Sequence, residues 1–445
     1  MAFLHSHSSE CMSSELDLFT LPATQTSIES SSYLHYKPVS SITDDGDAPL
    51  EFVVPGASEF YVDLAHTMLY IKARITPVDN DTENEKVGPI NNFLHSMFNQ
   101  VDVFFNQKLV SPPNNAYPYR AYIESLLNYS PEAKESHLTT NLWYNDEDSA
   151  FDAPANAASP QPVNTGLVKR KHFTLGGRIF DMVGHLHCDV FNQDKMLLNG
   201  VEMRVRLVRS KDAFCLMDAS EDGIFKVSIK EATLIVRRVK VSPGIMLAHA
   251  NALSKTTAKY PITRVEVKSF TLHAGITGDS IDNVILGQLP KRIIIGFVDN
   301  RAFNGNRSLN PFNFQHFSLN YLSLNIDGMQ VPSKPLQPRF TGRSQEIIEA
   351  FHTLFTGTGI HFLNEGNGIN RYNYGKGYFL TAFDLTHDMS AHCATHWNIV
   401  RSGSIRIEVG FEQALTQTIN CIVYVEYDNV LEIDASRQII SDFNA

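Results

Sequence analysis

The chain is short of the residues that several functional classes require. Its five cysteines, Cys11, Cys188, Cys215, Cys393 and Cys421, are odd in number, far apart and free of any Cys-x-x-Cys pair. Neither a disulfide framework nor a zinc ribbon is indicated, and a reducing compartment is the simpler setting. No run of about 18 apolar residues occurs, so no membrane span is expected. The first residues lack a basic segment followed by a long apolar stretch, so no secretory leader is expected either. Positive charge is scarce: 37 Lys and Arg against 48 Asp and Glu leave a net charge of −11. That balance argues against a surface devoted to nucleic acid, which needs concentrated cations. The two basic groups, Lys169, Arg170 and Lys171, and Arg237, Arg238 and Lys240, read as solvated faces.

What the chain does contain is one pattern stated twice, about 220 residues apart. Without a gap, Asn92, Phe93, His95 and Asn99 fall on Asn313, Phe314, His316 and Asn320, while Val101, Val103 and Phe105 fall on Leu322, Leu324 and Ile326. The parallel extends upstream, where residues 69–75 and the following 78–80 match 292–298 and Asp299 and Asn300. It extends downstream to helical patterns at 119–129 and 344–355, and to strands at 201–208 and 404–411. Order and content agree, so the chain reads as two copies of one domain.

A hydrophobic fraction of 43%, with 28 Phe and 16 Tyr, is ample for two cores, and 445 residues are too many for one. Period-two, β-branched segments dominate: 67–75, 101–105, 178–190, 201–208, 225–241, 262–272 and 418–427. Asp327 and Gly328 form a two-residue hairpin signal. Many strands, one helix per copy and no βαβ rhythm predict an all-β chain: two tandem eight-stranded antiparallel jelly rolls, each with an inserted helix and long loops. The expected division is a Ser/Thr-rich arm at 1–47, a first jelly roll at 48–244, a helical connector at 245–260, a second jelly roll at 261–433 and a tail at 434–445. Pro243 and Gly244 are expected to end the first copy. The irregular excursions 144–169 and 357–376 are expected as surface loops outside the core.

Candidate chemistry is sparse. His387, Asp388, His392, Cys393 and His396 pack five metal-ligand types into ten residues, but their spacing matches no zinc pattern. His185 and His187 lie two apart in a predicted strand, on one face, the arrangement that cupin metalloenzymes use. No nearby Glu or third His stands at cupin-like spacing, so two histidines on a sandwich face are the better reading. The glycines at 357, 359, 366, 368, 375 and 377 lack the Gly-Lys-Ser/Thr of a phosphate loop. Glu426 with Asp428, and Glu432 with Asp434, read as a strand end and a solvated tail rather than an acid and base pair. No catalytic, cofactor-binding or metal residue is assigned, no cofactor is expected, and the chain is not expected to be an enzyme.

Beyond these patterns, particular residues resemble a known family. Tyr33, Leu34, His35 and Tyr36, the segment 63–74, the segment 87–103 and above all Tyr117, Pro118, Tyr119, Arg120, Ala121 and Tyr122 within 117–129 resemble the double jelly-roll, hexon-like major capsid proteins of adenovirus-related double-stranded DNA viruses, of the Polinton and adintovirus type. The resemblance covers nearly everything after the arm. It implies a structural subunit of an icosahedral shell: three chains, with two jelly rolls each, form a pseudo-hexagonal capsomer. The implied partners are other copies, neighbouring capsomers, and penton and minor capsid proteins, and the implied location is the virion, assembled in the host nucleus or cytoplasm. The two excursions would then be tower or intersubunit loops, with the arm near the inner face of the shell. Two other functions are weighed against it. A carbohydrate- or protein-binding tandem jelly roll predicts a leader or disulfides, and a cupin-type enzyme predicts a metal at His185 and His187.

Overall fold

The computed structural model describes residues 7–42, 48–77, 86–112, 116–156, 161–218, 224–341 and 345–441. The first half contributes strands β1 (Ile28–Tyr36), β2 (Leu50–Val54), β3 (Phe60–Pro77), β4 (Val87–Pro89), β5 (Phe98–Phe105), β6 (Lys108–Leu109), β7 (Ile179–His185), β8 (Met203–Arg209), β9 (Leu216–Asp218) and β10 (Phe225–Val241). The second contributes β11 (Ala258–Leu272), β12 (Gly278–Gln288), β13 (Arg292–Asp299), β14 (Leu319–Ile326), β15 (Met329–Leu336), β16 (Leu380–Asp384), β17 (Ser402–Phe411), β18 (Ile419–Ile433) and β19 (Ile439–Ser441). Between them run helices α1 (Phe93–Ser96), α2 (Tyr117–Asn128), α3 (Pro131–Glu135), α4 (Thr165–Thr174), α5 (Asp212–Cys215), α6 (Pro243–Leu253), α7 (Asn300–Asn304) and α8 (Ile348–Thr356).

Each half is a sandwich of two antiparallel sheets, four-stranded but for β19 added beside β18 in the second half, and the orders of the four main strands correspond one to one. The first half has β1-β10-β3-β7 over β2-β8-β5-β6, and the second has β11-β18-β13-β16 over β12-β17-β14-β15. This is jelly-roll topology twice. The gapless sequence match survives into three dimensions: β5 and β14 are both eight residues long, and Phe98 and Leu319 open them at the offset of that match. Their inward residues Val101, Val103 and Phe105, and Leu322, Leu324 and Ile326, are all buried. Period-two alternation puts them there, because a one-residue slip would turn each of them to the other face. Asp327 and Gly328 both adopt positive φ, 49° and 86°, as a tight hairpin between β14 and β15 requires.

The structure departs from the sequence expectations at several places. Residues 1–47 do not form an arm throughout: β1 pairs with β10 along Ile28 to Tyr36 and completes the first sandwich, its Ser-rich composition reflecting an edge strand with little burial. Residues 1–6 and 43–47 lie outside the described residues, as do 78–80 and Ser344. Pro243 follows β10, which ends at Val241, and sits in the first turn of α6, where its missing N–H costs nothing. The connector is shorter than 245–260, since β11 already starts at Ala258 and pairs with β18 through Ile433. The tail returns as β19 on β18, with 442–445 outside the described residues. The segment 178–190 is strand only to His185, because Asp189 turns inward toward Arg120.

The largest correction concerns the excursions. Residues 144–169 bury Asp146, Phe151, Ala155, Asn164 and Leu167, and 357–376 bury Thr358, Asn367, Ile369 and Tyr374. Part of this burial comes from the two excursions packing on each other, across the boundary between the halves. The Ser149 N–H donates to Lys376 O at 3.1 Å, Lys376 Nζ pairs with Asp148 at 3.3 Å, and Phe151 packs edge-on against Tyr378.

Candidate functional site

The feature to which most buried polar chemistry converges is the seam between the two jelly rolls, and its axis is α2. A surface helix buries one stripe, but every residue of α2 from Tyr117 to Leu127 is buried, Arg120 and Glu124 included. Pro118 in the first turn favours helix initiation at this point. The aromatic residues of α2 enter the second half: Tyr122 stacks on Phe312 with ring centres 4.2 Å apart and planes within 7°, and Tyr119 stacks on Phe303 at 5.5 Å. Trp143 lies on the other side of Tyr122 at 5.3 Å.

The charged residues of α2 are paired within the same layer. Arg120 Nε donates to Glu124 Oε1 at 2.9 Å and Nη1 to Asp189 Oδ1 at 2.7 Å. Glu124 Oε2 lies 2.6 Å from His187 Nδ1. From the second half, Tyr424 Oη donates to Glu124 Oε1 at 3.3 Å, the Val265 N–H donates to Asp189 Oδ1 at 3.3 Å, and Glu426, also touched by Tyr424, pairs with Arg292 at 3.2 Å. Burial alone would raise the Glu124 carboxyl, but Arg120 and the His187 hydrogen bond outweigh it and hold the group at about 2. Asp189, equally buried and with less compensation, is pushed up instead. Lys134, donating to Leu126 O and Asn367 O at 2.6 Å each, is pulled down to about 7 by burial.

A second buried cluster lies where the excursions meet. Arg170 and Asp146, both with fully buried side chains, pair at 2.6 Å. Arg170 also donates to Pro89 O and Tyr144 O. Asp146 Oδ1 accepts from Asn164, Oδ2 accepts from Asn310 of the second half at 3.2 Å, and the Asp146 carbonyl accepts from Tyr378 Oη at 2.5 Å. Asp152 accepts from the Asn310 N–H and from Asn313 Nδ2, both at 2.7 Å. These groups fix geometry, and Asp146, Tyr378 and Lys134 also border a cavity of about 520 Å³ that Glu147, Asp148 and Lys169 line with them.

The residues weighed from sequence are scattered. His185 ends β7 and bonds Asn192, whereas His187 lies beyond the strand, ring-to-ring with His95 at 4.7 Å. The fold does supply the Glu and third His that sequence spacing did not reveal, as Glu124 and His95, but Glu124 is already committed to Arg120 and His187. His396 bonds Asp388 at 3.0 Å in an exposed loop, and His392 packs away against Gly359. Among the described residues, no three His, Cys, Asp or Glu side chains are grouped to hold a metal ion. Gly359 and Gly377 take positive φ and admit His392 and Phe151 against the backbone, a packing role and not a phosphate cradle. Of the basic groups, Arg170 is no solvated residue but the buried partner of Asp146. Glu426 and Asp428 lie within β18 and pair with Arg292 and Lys291. Sequence reasoning passed over the Arg120 and Glu124 pair, whose signal was an i,i+4 ion pair inside an otherwise aromatic and aliphatic helix.

No family model matches the chain. An uncharacterized protein of Caenorhabditis elegans is 24% identical over 439 residues, covering 95% of this chain and 99% of that one. Among solved structures, a chain of the Sputnik virophage aligns with a TM-score of 0.66 at 12% identity, covering 98% of this chain and 93% of that chain. A chain of the PBCV-1 virus capsid aligns at 0.58 and 9% identity, covering 96% and 100%. The mavirus major capsid protein aligns at 0.54 and 12% identity, covering 99% and 95%. These likenesses span both halves and the seam, so the chain has the double jelly-roll fold seen in viral capsid structures.

Proposed function

We propose that the protein is the major capsid subunit of an icosahedral double-stranded DNA virus of Polinton or adintovirus type, and that three chains form a pseudo-hexagonal capsomer. The observation that carries this reading is the likeness over 98% of the chain to a virophage chain, with both sandwiches in one alignment. The seam supports it. A subunit that bears load in a shell must hold its two sandwiches at one angle, and two buried ionic layers joined by stacked aromatics do that. The outer surface supports it too. Phe362 is 89% exposed and Ile399 82%, and Leu363, Trp397 and Val400 are also exposed on loops. Exposed apolar residues gathered on loops mark contact surfaces. In this reading the 357–376 excursion is part seam and part intersubunit loop, the other partners are neighbouring capsomers with penton and minor capsid proteins, and the protein resides in the virion without enzymatic activity.

Light scattering of the purified protein, followed by negative-stain imaging, tests it. A stable species of three chains with a hexagonal outline is expected. A monomer at every concentration would sink the capsomer and bring a tandem binding module forward.

A further inference from the structure

Residues 7–27, which precede β1, are exposed throughout, and they are not polar throughout. Met12, Leu16, Leu18, Phe19 and Leu21 are 65%, 66%, 75%, 96% and 92% exposed. The same stretch carries Glu10, Glu15 and Asp17 and no Lys or Arg. It is an acidic strap with exposed apolar residues.

A complementary surface lies beside its root. The helix α6 has the sequence Pro-Gly-Ile-Met-Leu-Ala-His-Ala-Asn-Ala-Leu, yet of these residues only Leu253 is buried, and Leu247 is 64% exposed. Between α6 and the start of β11 runs an apolar groove of about 430 Å³, floored by Leu198, Val241, Leu253 and Tyr260. Lys195, Lys259 and His249 line it, and no carboxylate does. The strap and the groove therefore match in both hydrophobicity and sign of charge.

The strap begins next to its own groove: Ile28 pairs with Val241, and the Ser242 N–H donates to Ser27 O at 2.9 Å. Nine residues from Ile28 to Phe19 span up to about 30 Å, so its own groove is within reach and yet unfilled by it. We infer that residues 12–21 seat in the α6 groove of a second copy, with Leu16, Leu18, Phe19 and Leu21 on the apolar floor and Glu15 and Asp17 facing the lysines. The inference rests on the capsid reading for the presence of close neighbouring copies. It adds a strap exchange that ties one chain to the next.

The test uses the full chain with a photo-crosslinking phenylalanine analogue at position 19. Isotopically heavy and light chains are mixed, irradiated and analysed by peptide mass spectrometry. Mixed-isotope links from position 19 to residues 243–260 are expected, and Ala252→Arg, an exposed change on α6, should lower their yield about tenfold. Links within single chains only would show the strap folding back on itself and overturn the inference, as would links elsewhere or none. Light scattering of the same samples separates the two proposals. Three chains without the link leave the capsomer standing and remove the strap, whereas the link without a three-chain species does the reverse.

Discussion

Replacing Asp146 with Ala removes one carboxylate from the interior and strands what it holds. The Arg170 guanidinium, fully buried, would keep its bonds to Pro89 O and Tyr144 O but lose its one charge partner among the described residues, and Asn310 would lose one of its contacts across the seam. Removing one partner of a buried pair costs about 3–5 kcal/mol, because the remaining charge stays desolvated. Against a stability of about 5–15 kcal/mol that is a large loss, of about 10 °C in melting temperature for a unit of this size. Asp146→Asn keeps the shape and one acceptor oxygen, so it should cost less. The assay is built into the chain, which has two tryptophans. Trp143 is buried beside Tyr122 at the seam, and Trp397 is half exposed on a loop. With Trp397→Phe as the background, urea unfolding followed by fluorescence reports the seam alone. The loss should be insensitive to salt, since screening does not reach a buried pair. A cost below about 1 kcal/mol, or one that vanishes in high salt, would refute the view of this cluster as a desolvated weld.

Three further outcomes follow from the same geometry. Burial holds the His316 ring down to about 4, and its Nδ1 accepts the Ser318 N–H at 2.9 Å, so the folded state takes up a proton less readily than the unfolded chain. Its stability contribution is full above about pH 6.5 and is lost as pH falls toward 4, by up to about 3 kcal/mol; His316→Phe, which keeps the stack on Phe340, should flatten that part of a melting-temperature profile. Tyr122→Ala should cost about 3–5 kcal/mol by emptying the stack between Phe312 and Trp143, and Tyr122→Phe should cost under about 1, both measured by urea unfolding. Gly377 has φ of 110°, and a Cβ there would lie 2.2 Å from the Phe151 ring, so Gly377→Ala should destabilise by about 2 kcal/mol or more. A double-mutant cycle with Phe151→Ala should show coupling between the two, and strict additivity would sink the contact.

The fold was legible because the repeat and the alternation constrain the same thing. A gapless match that places Phe98 on Leu319 also places each inward residue of β5 on one of β14, and register follows from the pleat. The strand at Ile28–Tyr36 was not legible, for a physical reason. An edge strand with both faces largely solvated needs no hydrophobic alternation, so Ser30, Ser31 and Ser32 pair with β10 as well as any residue would. The excursions were misread because their burial is not local. Phe151 has no period to follow, and Tyr378 and Gly377, which pack against it, lie more than 200 residues away in the other half.

The two copies diverge most where they meet, and the divergence has a direction. The helices α2 and α8 occupy corresponding places after β6 and β15. In α2 every residue from Tyr117 to Leu127 is buried and the aromatic residues cross into the second sandwich, whereas α8 lies on its own strand β16, buries only Ala350 and Leu354, and leaves Ile348 42% exposed. The contact within one chain therefore joins unlike surfaces, the first copy's helix against the second copy's sheet, and is heterologous rather than two-fold. Heterologous contacts continue until a rotation closes them. With two sandwiches per chain, the proposed closure after three chains would give six similar units, and the half-covered α8 is the surface on which such a closing contact would be sought.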